Sequence, residues 1–524
     1  MFAGKKNGGV PMNLLVASRR SVVTDSTIYW WVSAFALAHL LLWTLPQLLW
    51  RSALPLDTTE GFAYSLQWQW GYERDPYLVS LMVALGRLLT NNQTWILYFF
   101  SQLAVLAAFW AVWKLARAVG LSRLQALISV LCLEGIAFYN FSTPEFNDNV
   151  LVLPFWAWSG FFFYQACQTE RIRDWLWLGV FAGLATMAKH SAALLILSML
   201  LYLVLTREGR RHWLKPGIYL GALVAFLIVL PNILWLVRHD FVTFVYASDR
   251  ASLSPHIQFW HHLLSPLTFV VTQGLVILPS LVLLGLVLGK YRGRVLELDP
   301  DQWVRLFSVT VLPFVLVVLC SAVTGGKLPD HWGAPLYLFL GVLLLALWRP
   351  EPEWYQWRRF SIGVVLVFSF LLSANLIGLL WMPRYHHDMR AVFPGAAIAS
   401  EADVLWSQRF PDTPLRFVDG DRWISGNISV FAPGHPVALP YFFWDFSRPG
   451  SDLDVRLEAI KKEGMMVVWH SSDKGAARKY RDAILLGRIP FKYSRADQRE
   501  PEFISVAAVP PGAGGEFWKA MPGW

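Results

Sequence analysis

The chain has 524 residues, 55% hydrophobic, 15% aromatic and only 15% charged, where soluble domains carry about 25% charged residues. Together with a mean hydropathy of +0.42, this excludes a soluble globular protein and requires many apolar segments, as in a polytopic membrane protein. Its three cysteines, all in apolar stretches, offer neither a disulfide framework nor a CxxC metal site, and the net charge of +9 sits in short clusters between apolar runs, where it sets membrane orientation instead of binding nucleic acid.

Lys5, Lys6, Arg19 and Arg20 precede the first apolar run. That run is longer than the apolar core of a cleavable signal, so a retained first helix with a cytoplasmic N-terminus is expected. A spanning helix takes about 20 apolar residues, and shorter ones survive inside a bundle. On that measure about eleven spans are expected, at roughly 28–50, 94–114, 124–140, 149–167, 175–188, 190–205, 216–236, 263–289, 303–323, 331–348 and 360–382. Basic clusters follow every second span: Lys114 to Arg123, Arg171 and Arg173, Arg207 to Lys215, Lys290 to Arg294, and Arg349 to Arg359. These loops are expected on the cytoplasmic side. The alternation holds only if the apolar stretch 175–205 is split at Lys189-His190, which leaves a Lys and a His in a turn between two short helices.

The opposite side then receives 51–93, 141–148, 189–190, 237–262, 324–330 and everything after about 383. The tail has candidate strands, Leu415 to Val418 and Met465 to Trp469, and turn signals at Asp419-Gly420 and Ala432-Pro433-Gly434. The expected fold is mainly α, a polytopic transmembrane helical bundle over 1–382 followed by a periplasmic α/β domain over 383–524. No internal repeat and no inverted hydropathy symmetry is visible.

The chemically loaded residues lie in the outer segments. Asp57 follows the first span closely, so its carboxylate lies near the membrane surface, placed to take a proton from an incoming hydroxyl as general base. The competing reading is a helix cap at Asp57 or Thr58, with Glu60 at the capping-box position, and the two readings are compatible. In 139–149, Glu145, Asn147 and Asp148 crowd between apolar spans, where unpartnered polar groups are costly. Glu145 and Asp148 are three apart. On a helix they would share one face and could hold a divalent cation with Asp75 or Glu73; the alternative is a cap with amide hydrogen bonds. Three basic sites face the same side: Lys189-His190, Arg238 to Arg250, and Lys327 to His331. Cationic groups there suit a phosphate or pyrophosphate leaving group, the competing reading being lysines that snorkel toward headgroups.

The segments LDTTEGFAYSLQWQWGYERDPYL, STPEFNDNV, GLATMAKHSAALL, WLVRHDFVTFVYASDR and GGKLPDHWGAPLY, in this order, resemble the polyprenyl-phosphate-dependent glycosyltransferases of the GT-C class. The nearer resemblance is to the bacterial dolichyl-phosphate-mannose protein mannosyltransferase-like branch. That branch includes aminoarabinose transferases of lipid A and galacturonosyl transferases of lipopolysaccharide core. The resemblance implies an inverting sugar transferase in the bacterial inner membrane. Its donor would be a polyprenyl-phosphate-linked sugar among the membrane lipids, and its acceptor lipid A, lipopolysaccharide or another envelope glycan. By that likeness Asp57, Asp148 and Glu145 are the catalytic candidates, and Asn147, Lys189 and Lys327 bind substrate; Glu60, His190, Arg250 and His331, from the outer segments read above, are added as substrate-binding candidates. Asp75, before Pro76, is the candidate ligand of a divalent cation, and no other cofactor is expected. The chain departs from the branch where Asp57 is followed by Thr58 instead of Glu, and where Arg74-Asp75-Pro76-Tyr77 replaces Lys-His-Pro-Pro. Competing functional readings are a secondary transporter or lipid flippase, and a protein O-glycosyltransferase. A transporter would bind substrate near the bilayer midplane, whereas these polar motifs crowd at one face.

Overall fold

A computed structural model describes residues 24–250, 257–288, 295–384, 389–442, 453–493 and 500–513. The chain begins with α1 (Asp25–Trp50), the short α2 (Leu56–Ser65) and α3 (Leu78–Thr90), then α4 (Trp95–Val119) and α5 (Arg123–Leu131). Next come α6 (Asp148–Thr169), α7 (Ile172–Ala188), α8 (Ala193–Leu205), α9 (Arg207–Arg211) and α10 (Pro216–Arg238). After α11 (Val242–Arg250) follow α12 (His261–Leu288), α13 (Pro300–Thr310), α14 (Leu312–Thr324), α15 (Leu340–Trp348) and α16 (Trp354–Leu380).

Among the described residues, six helices are long and apolar enough to cross a membrane, namely α1, α4, α6, α10, α12 and α16. Three bent pairs bring the total to nine: His190–Leu205 with Arg207–Leu214 at 87°, α13 with α14 at 50°, and Asp330–Tyr337 with α15 at 47°. The protein is therefore a multi-pass membrane protein with fewer full spans than the eleven expected. The two remaining segments fall short for identifiable reasons. At 124–140 the α-helix stops at Leu131 and tightens into 3-10 turns, because Gly135 abuts α12: a Cβ there would meet the Ser280 backbone nitrogen at 2.4 Å. At 175–188, α7 has 17 residues, about a turn less than a typical crossing. It ends at Lys189, whose extended backbone (φ −157°, ψ 125°) separates it from α8, as the charge alternation requires.

Lipid gives apolar side chains little reason to prefer one another, so helices in it associate through close packing of small residues. The α7–α10 pair shows this. Gly179 and Gly183 on one helix and Gly217 and Gly221 on the other, each pair four apart, form a seam in which the backbones touch. A Cβ on Gly179 would lie 2.2 Å from the Gly221 carbonyl oxygen, and one on Gly217 would lie 2.5 Å from the Trp175 ring.

After α16, the chain forms a five-stranded mixed sheet with helices α17 (Gly395–Arg409), α18 (Arg422–Phe431), α19 (Leu453–Glu463) and α20 (Lys474–Lys479). Its strands are β1 (Phe417–Gly420), β2 (Val437–Ala438), β3 (Met465–His470), β4 (Ile484–Phe491) and β5 (Glu502–Val509), in spatial order β2-β1-β3-β5-β4. β1 pairs in parallel with β2 and β3, while β5 is antiparallel to β3 and β4. The central β3 reads Met-Met-Val-Val-Trp-His and its first five residues are buried, as expected of a strand covered on both faces. The strand expected at Met465 to Trp469 is β3, whereas the one expected at Leu415 to Val418 runs from Phe417 to Gly420, so the Asp-Gly pair read as a turn forms its last two residues. Gly420 closes β1 at φ +114°, where any Cβ would lie 1.9 Å from the Val468 carbonyl oxygen. Immediately after it, Asp421 caps α18 through the Ile424 N–H.

α18 packs directly on α2. Gly426 permits this approach, since a Cβ there would meet the Tyr441 hydroxyl at 2.5 Å and Thr59 Cγ2 at 2.8 Å. The sheet region is thereby seated on the end of the bundle that carries the polar motifs.

Candidate functional site

Polar segments far apart in the chain converge on one cavity of about 500 Å³, lined by side chains from α2, the 74–76 loop, α6, the 189–191 turn, α11 and the Asp330–Tyr337 segment. Its making begins at α2. Pro55 precedes the helix and supplies no side-chain cap, so the free N–H groups of the first turn look outward for acceptors. Glu145 provides one: the Asp57 N–H donates to Glu145 Oε1 at 2.9 Å. The Thr58 hydroxyl donates to the Phe146 carbonyl at 3.1 Å. A carboxylate is also the charge that the positive end of a helix favours. Asp57 is therefore not the cap of α2, and Glu60 is not in a capping box. Glu145 lies in a turn, not on a helix with Asp148, and is directed at α2 instead of sharing a cation with Asp148.

Asn147 has two tasks. Its Oδ1 accepts from the Val150 N–H at 3.1 Å, capping α6, while its Nδ2 donates to Asp57 Oδ2 at 3.3 Å. One amide so ties the start of α6 to the orientation of Asp57. The next residue, Asp148, faces the cavity and pairs with Lys189 at 2.7 Å. Asn149 completes the group: its Nδ2 donates to Asp148 Oδ1 at 2.8 Å and its Oδ1 accepts from Lys189. Lys189 is 9% exposed, with its ammonium 5.9 Å from the centre of the Trp332 ring. His190 turns aside to Asn232 Oδ1 at 3.0 Å, with Phe244 of α11 alongside its ring.

Glu60, one turn after Asp57, is 3% exposed. Its Oε2 accepts from Arg74 and from Arg422, each at 3.0 Å. The carboxylate expected to bind substrate is thus already held by two guanidinium groups, although the residue lines the cavity. Asp75 also faces the cavity, beside the Gly71–Pro76 bridge that closes a tight hairpin. Arg250 and His331 stand at the wall. Lys327 does not join them. Gly325 ends α14 with φ +70° and the Ser321 hydroxyl holds the Gly326 carbonyl at 2.7 Å, after which Lys327 emerges exposed and outside the cavity lining.

The electrostatics follow from enclosure. Burial, and then the charge of Asp148, push the Asp57 carboxyl above its ordinary range, against the Asn147 bond and the charges of Arg74 and His331. Burial raises Asp75 well above the usual value, with Asp148 and Glu60 adding to it and Lys189 opposing. Glu145 is pushed up to about 7, by burial first and Asp57 second. Burial also raises Glu60, against Arg422 and Arg74. Such carboxyls accept protons more readily near neutral pH than ordinary ones, the property a general base needs. Among the described residues, no three His, Cys, Asp or Glu side chains are grouped so as to hold a metal ion, which includes the expected set around Asp75.

Of the residues picked out from sequence, Asp57, Glu60, Asp75, Asp148, Lys189, His190, Arg250 and His331 share the cavity. Asn147 and Glu145 support it from behind, and Lys327 stands apart. Sequence reasoning missed Asn149, Asn232, Trp332 and Arg422. Asn149 lies inside the motif 139–149, next to Asp148, but was not itself singled out. Arg422, separated from Glu60 by 362 positions, leaves no signal of its own.

Residues 74–235 match the family described as dolichyl-phosphate-mannose-protein mannosyltransferase. Over 424 residues the chain is 24% identical to lipid A galacturonosyltransferase RgtD of Rhizobium johnstonii, covering 76% of this chain and 86% of that protein. Over 369 residues it is 25% identical to lipopolysaccharide core galacturonosyltransferase RgtB of the same organism, covering 66% and 71%. Among solved structures, ArnT from Cupriavidus metallidurans bound to undecaprenyl phosphate shares the fold with a TM-score of 0.54 at 15% identity, covering 93% of this chain and 99% of that one. The matched segment contains Asp75, Asp148 and Lys189 of the cavity, and along most of its length this multi-pass protein is similar to membrane glycosyltransferases named for lipid A and lipopolysaccharide core.

Proposed function

We propose that the protein transfers a sugar from a polyprenyl-phosphate donor to lipid A, lipopolysaccharide or a related envelope glycan, in a single displacement that inverts the anomeric centre. The observation that carries this is the meeting of Asp57, Asp148, Lys189, Arg250 and His331 in one cavity at the end of the bundle. Asp57, oriented by Asn147, takes the proton of an acceptor hydroxyl as its oxygen attacks the anomeric carbon. The bond to the donor phosphate breaks, and its electron pair leaves with the phosphate. Lys189 and Arg74 are already committed to carboxylates, so the Arg250 guanidinium meets the departing phosphate, with the His331 ring beside it as a hydrogen-bond donor, where preorganised donors and charge stabilise the developing negative charge. Asp148, held by Lys189 and Asn149, keeps Asp57 basic through its nearby negative charge. His190 buttresses α11 through Phe244.

In this reading the N-terminus is cytoplasmic, residues 1–382 form the membrane bundle, and the cavity and residues 383–524 lie on the periplasmic side. The named activities of RgtD and RgtB make a galacturonic acid donor and a lipid A or core acceptor the first pair to assay. The test is product formation by purified protein in detergent with a polyprenyl-phosphate sugar and lipid A. Wild-type protein should form product without a sealed compartment, and Asp57→Asn should lose about 10²–10⁴-fold in rate while remaining folded. A folded Asp57→Asn protein with full activity removes Asp57 from the reaction.

A further inference from the structure

The Glu60 carboxylate joins four elements that carry the cavity. Glu60 itself lies on α2, one turn from Asp57. Arg74, from the hairpin that ends in Asp75, reaches Oε2 at 3.0 Å, and so does Arg422 from α18 of the sheet region. Arg74 also lies 5.0 Å over the ring of Tyr246 on α11, the helix that carries Arg250. Arg422 is held in turn by the Tyr441 ring at 4.5 Å, and Tyr441 donates its hydroxyl to the Arg422 carbonyl at 3.1 Å.

We propose that Arg422 is a positioning residue for sugar transfer, acting from the C-terminal region through Glu60 to hold Arg74 and the Asp75 hairpin against the cavity. Glu60 is 3% exposed, and a buried carboxylate is costly unless its charge is met and hydrogen-bonded. With Arg422 in place, both arginines converge on one oxygen, and the hairpin, α2 and α18 are fixed relative to one another. Without it, Arg74 is the sole cation at a buried carboxylate, and the hairpin is free to follow Arg74 in adjusting to Glu60. Misplacement of a reacting group by about 1 Å costs on the order of 10²-fold in rate. The sheet region therefore helps to hold the site in place although none of its residues lines the cavity. This inference rests on the proposed transferase reading, so the experiment includes a readout independent of activity.

The experiment uses the full chain in detergent with Glu60→Gln, Arg422→Gln, Arg422→Lys and the Glu60→Gln/Arg422→Gln double variant, assayed for transfer and for hydrogen–deuterium exchange of peptides spanning residues 71–78. Arg422→Gln should lower kcat about 10²-fold, with a smaller change in donor KM. Arg422→Lys should recover most of it, because Arg422 makes a single bond to Glu60. The double variant should cost no more than the worse single one, and the 71–78 peptides should exchange faster in Arg422→Gln. Full activity in Arg422→Gln, or costs that multiply in the double variant, would overturn the proposal. Should Arg422→Gln fail to accumulate, Glu60→Gln, which loosens the same contact from its other side, decides: wild-type kcat with unchanged protection of 71–78 overturns the proposal, and a lowered kcat with faster exchange upholds it. If wild-type protein forms no product, the exchange data alone judge the clamp: unchanged protection of 71–78 sinks it, and faster exchange upholds it while the transferase reading fails.

Discussion

Lys189 and Lys327 look alike in the sequence, each flanked by apolar runs with a His one or four positions on, yet the fold treats them oppositely. Lys189 is 9% exposed and paired with Asp148, whereas Lys327 is exposed and lines no part of the cavity. The difference lies in what meets them. Lys189 ends a helix that the Gly179–Gly221 seam draws into the bundle, opposite the first turn of α6, which presents Asp148 and Asn149. Lys327 follows a left-handed glycine that turns the chain outward. A lysine between apolar segments is thus a site residue only where a carboxylate from another element is already waiting.

The sharpest way to break this contrast is Lys189→Met. Removing one partner of a largely buried pair typically costs about 3–5 kcal/mol, so a large fall in detergent melting temperature and loss of transfer are expected. Adding Asp148→Asn should restore much of the stability and none of the activity; restored activity would mean that the pair is structural only. Next comes the seam that delivers Lys189. Gly179→Leu forces apart backbones that touch, and overpacking costs about 1–3 kcal/mol or more, to be read as lower expression and a lower melting temperature. Gly274→Ala, where a Cβ has open space, is the control.

A pH series probes the carboxyls on the Lys189 side. The folded pKa of Glu145 is raised to about 7 from 4.5. Its contribution is therefore fully present below the unfolded value and is lost as pH rises through about 7. Melting temperature should fall between pH 5 and pH 8, and Glu145→Gln, which keeps an oxygen for the Asp57 N–H, should flatten that slope. An unchanged slope would shift the cause to Asp57 and Asp75, whose carboxyls are raised in the same direction. The smallest effect is expected from Lys327→Ala: stability within about 0.5 kcal/mol and transfer close to wild type. A large loss would return Lys327 to the donor site.

Most of the polar motifs were legible because polar residues between apolar spans have no inexpensive resting place, so they announce themselves one by one. Their grouping also came from sequence, through the alternation of basic clusters, and residues of 51–93, 141–148, 189–190 and 237–262 do line one cavity, joined by His331 and Trp332, while 324–330 and the tail do not. Individual roles were less legible. Glu145 and Asp148 are three apart, but Pro144 and the cap at Asn147 start the helix between them, so one supports α2 and the other faces the cavity. Glu60, read as a capping partner or a substrate ligand, is instead taken up by two arginines.

The sequence by itself determined that this is a multi-pass membrane protein with a mixed terminal region and an acidic and basic set of residues at one end. These features are written in composition, hydropathy and charge alternation, which need no knowledge of neighbours. Only the tertiary structure decided which charges are partners. Ion pairing in a low-dielectric cavity depends on distances between elements brought together by close approaches at Gly179, Gly221 and Gly426, and no local pattern encodes that Arg422 closes on a carboxylate 362 positions earlier.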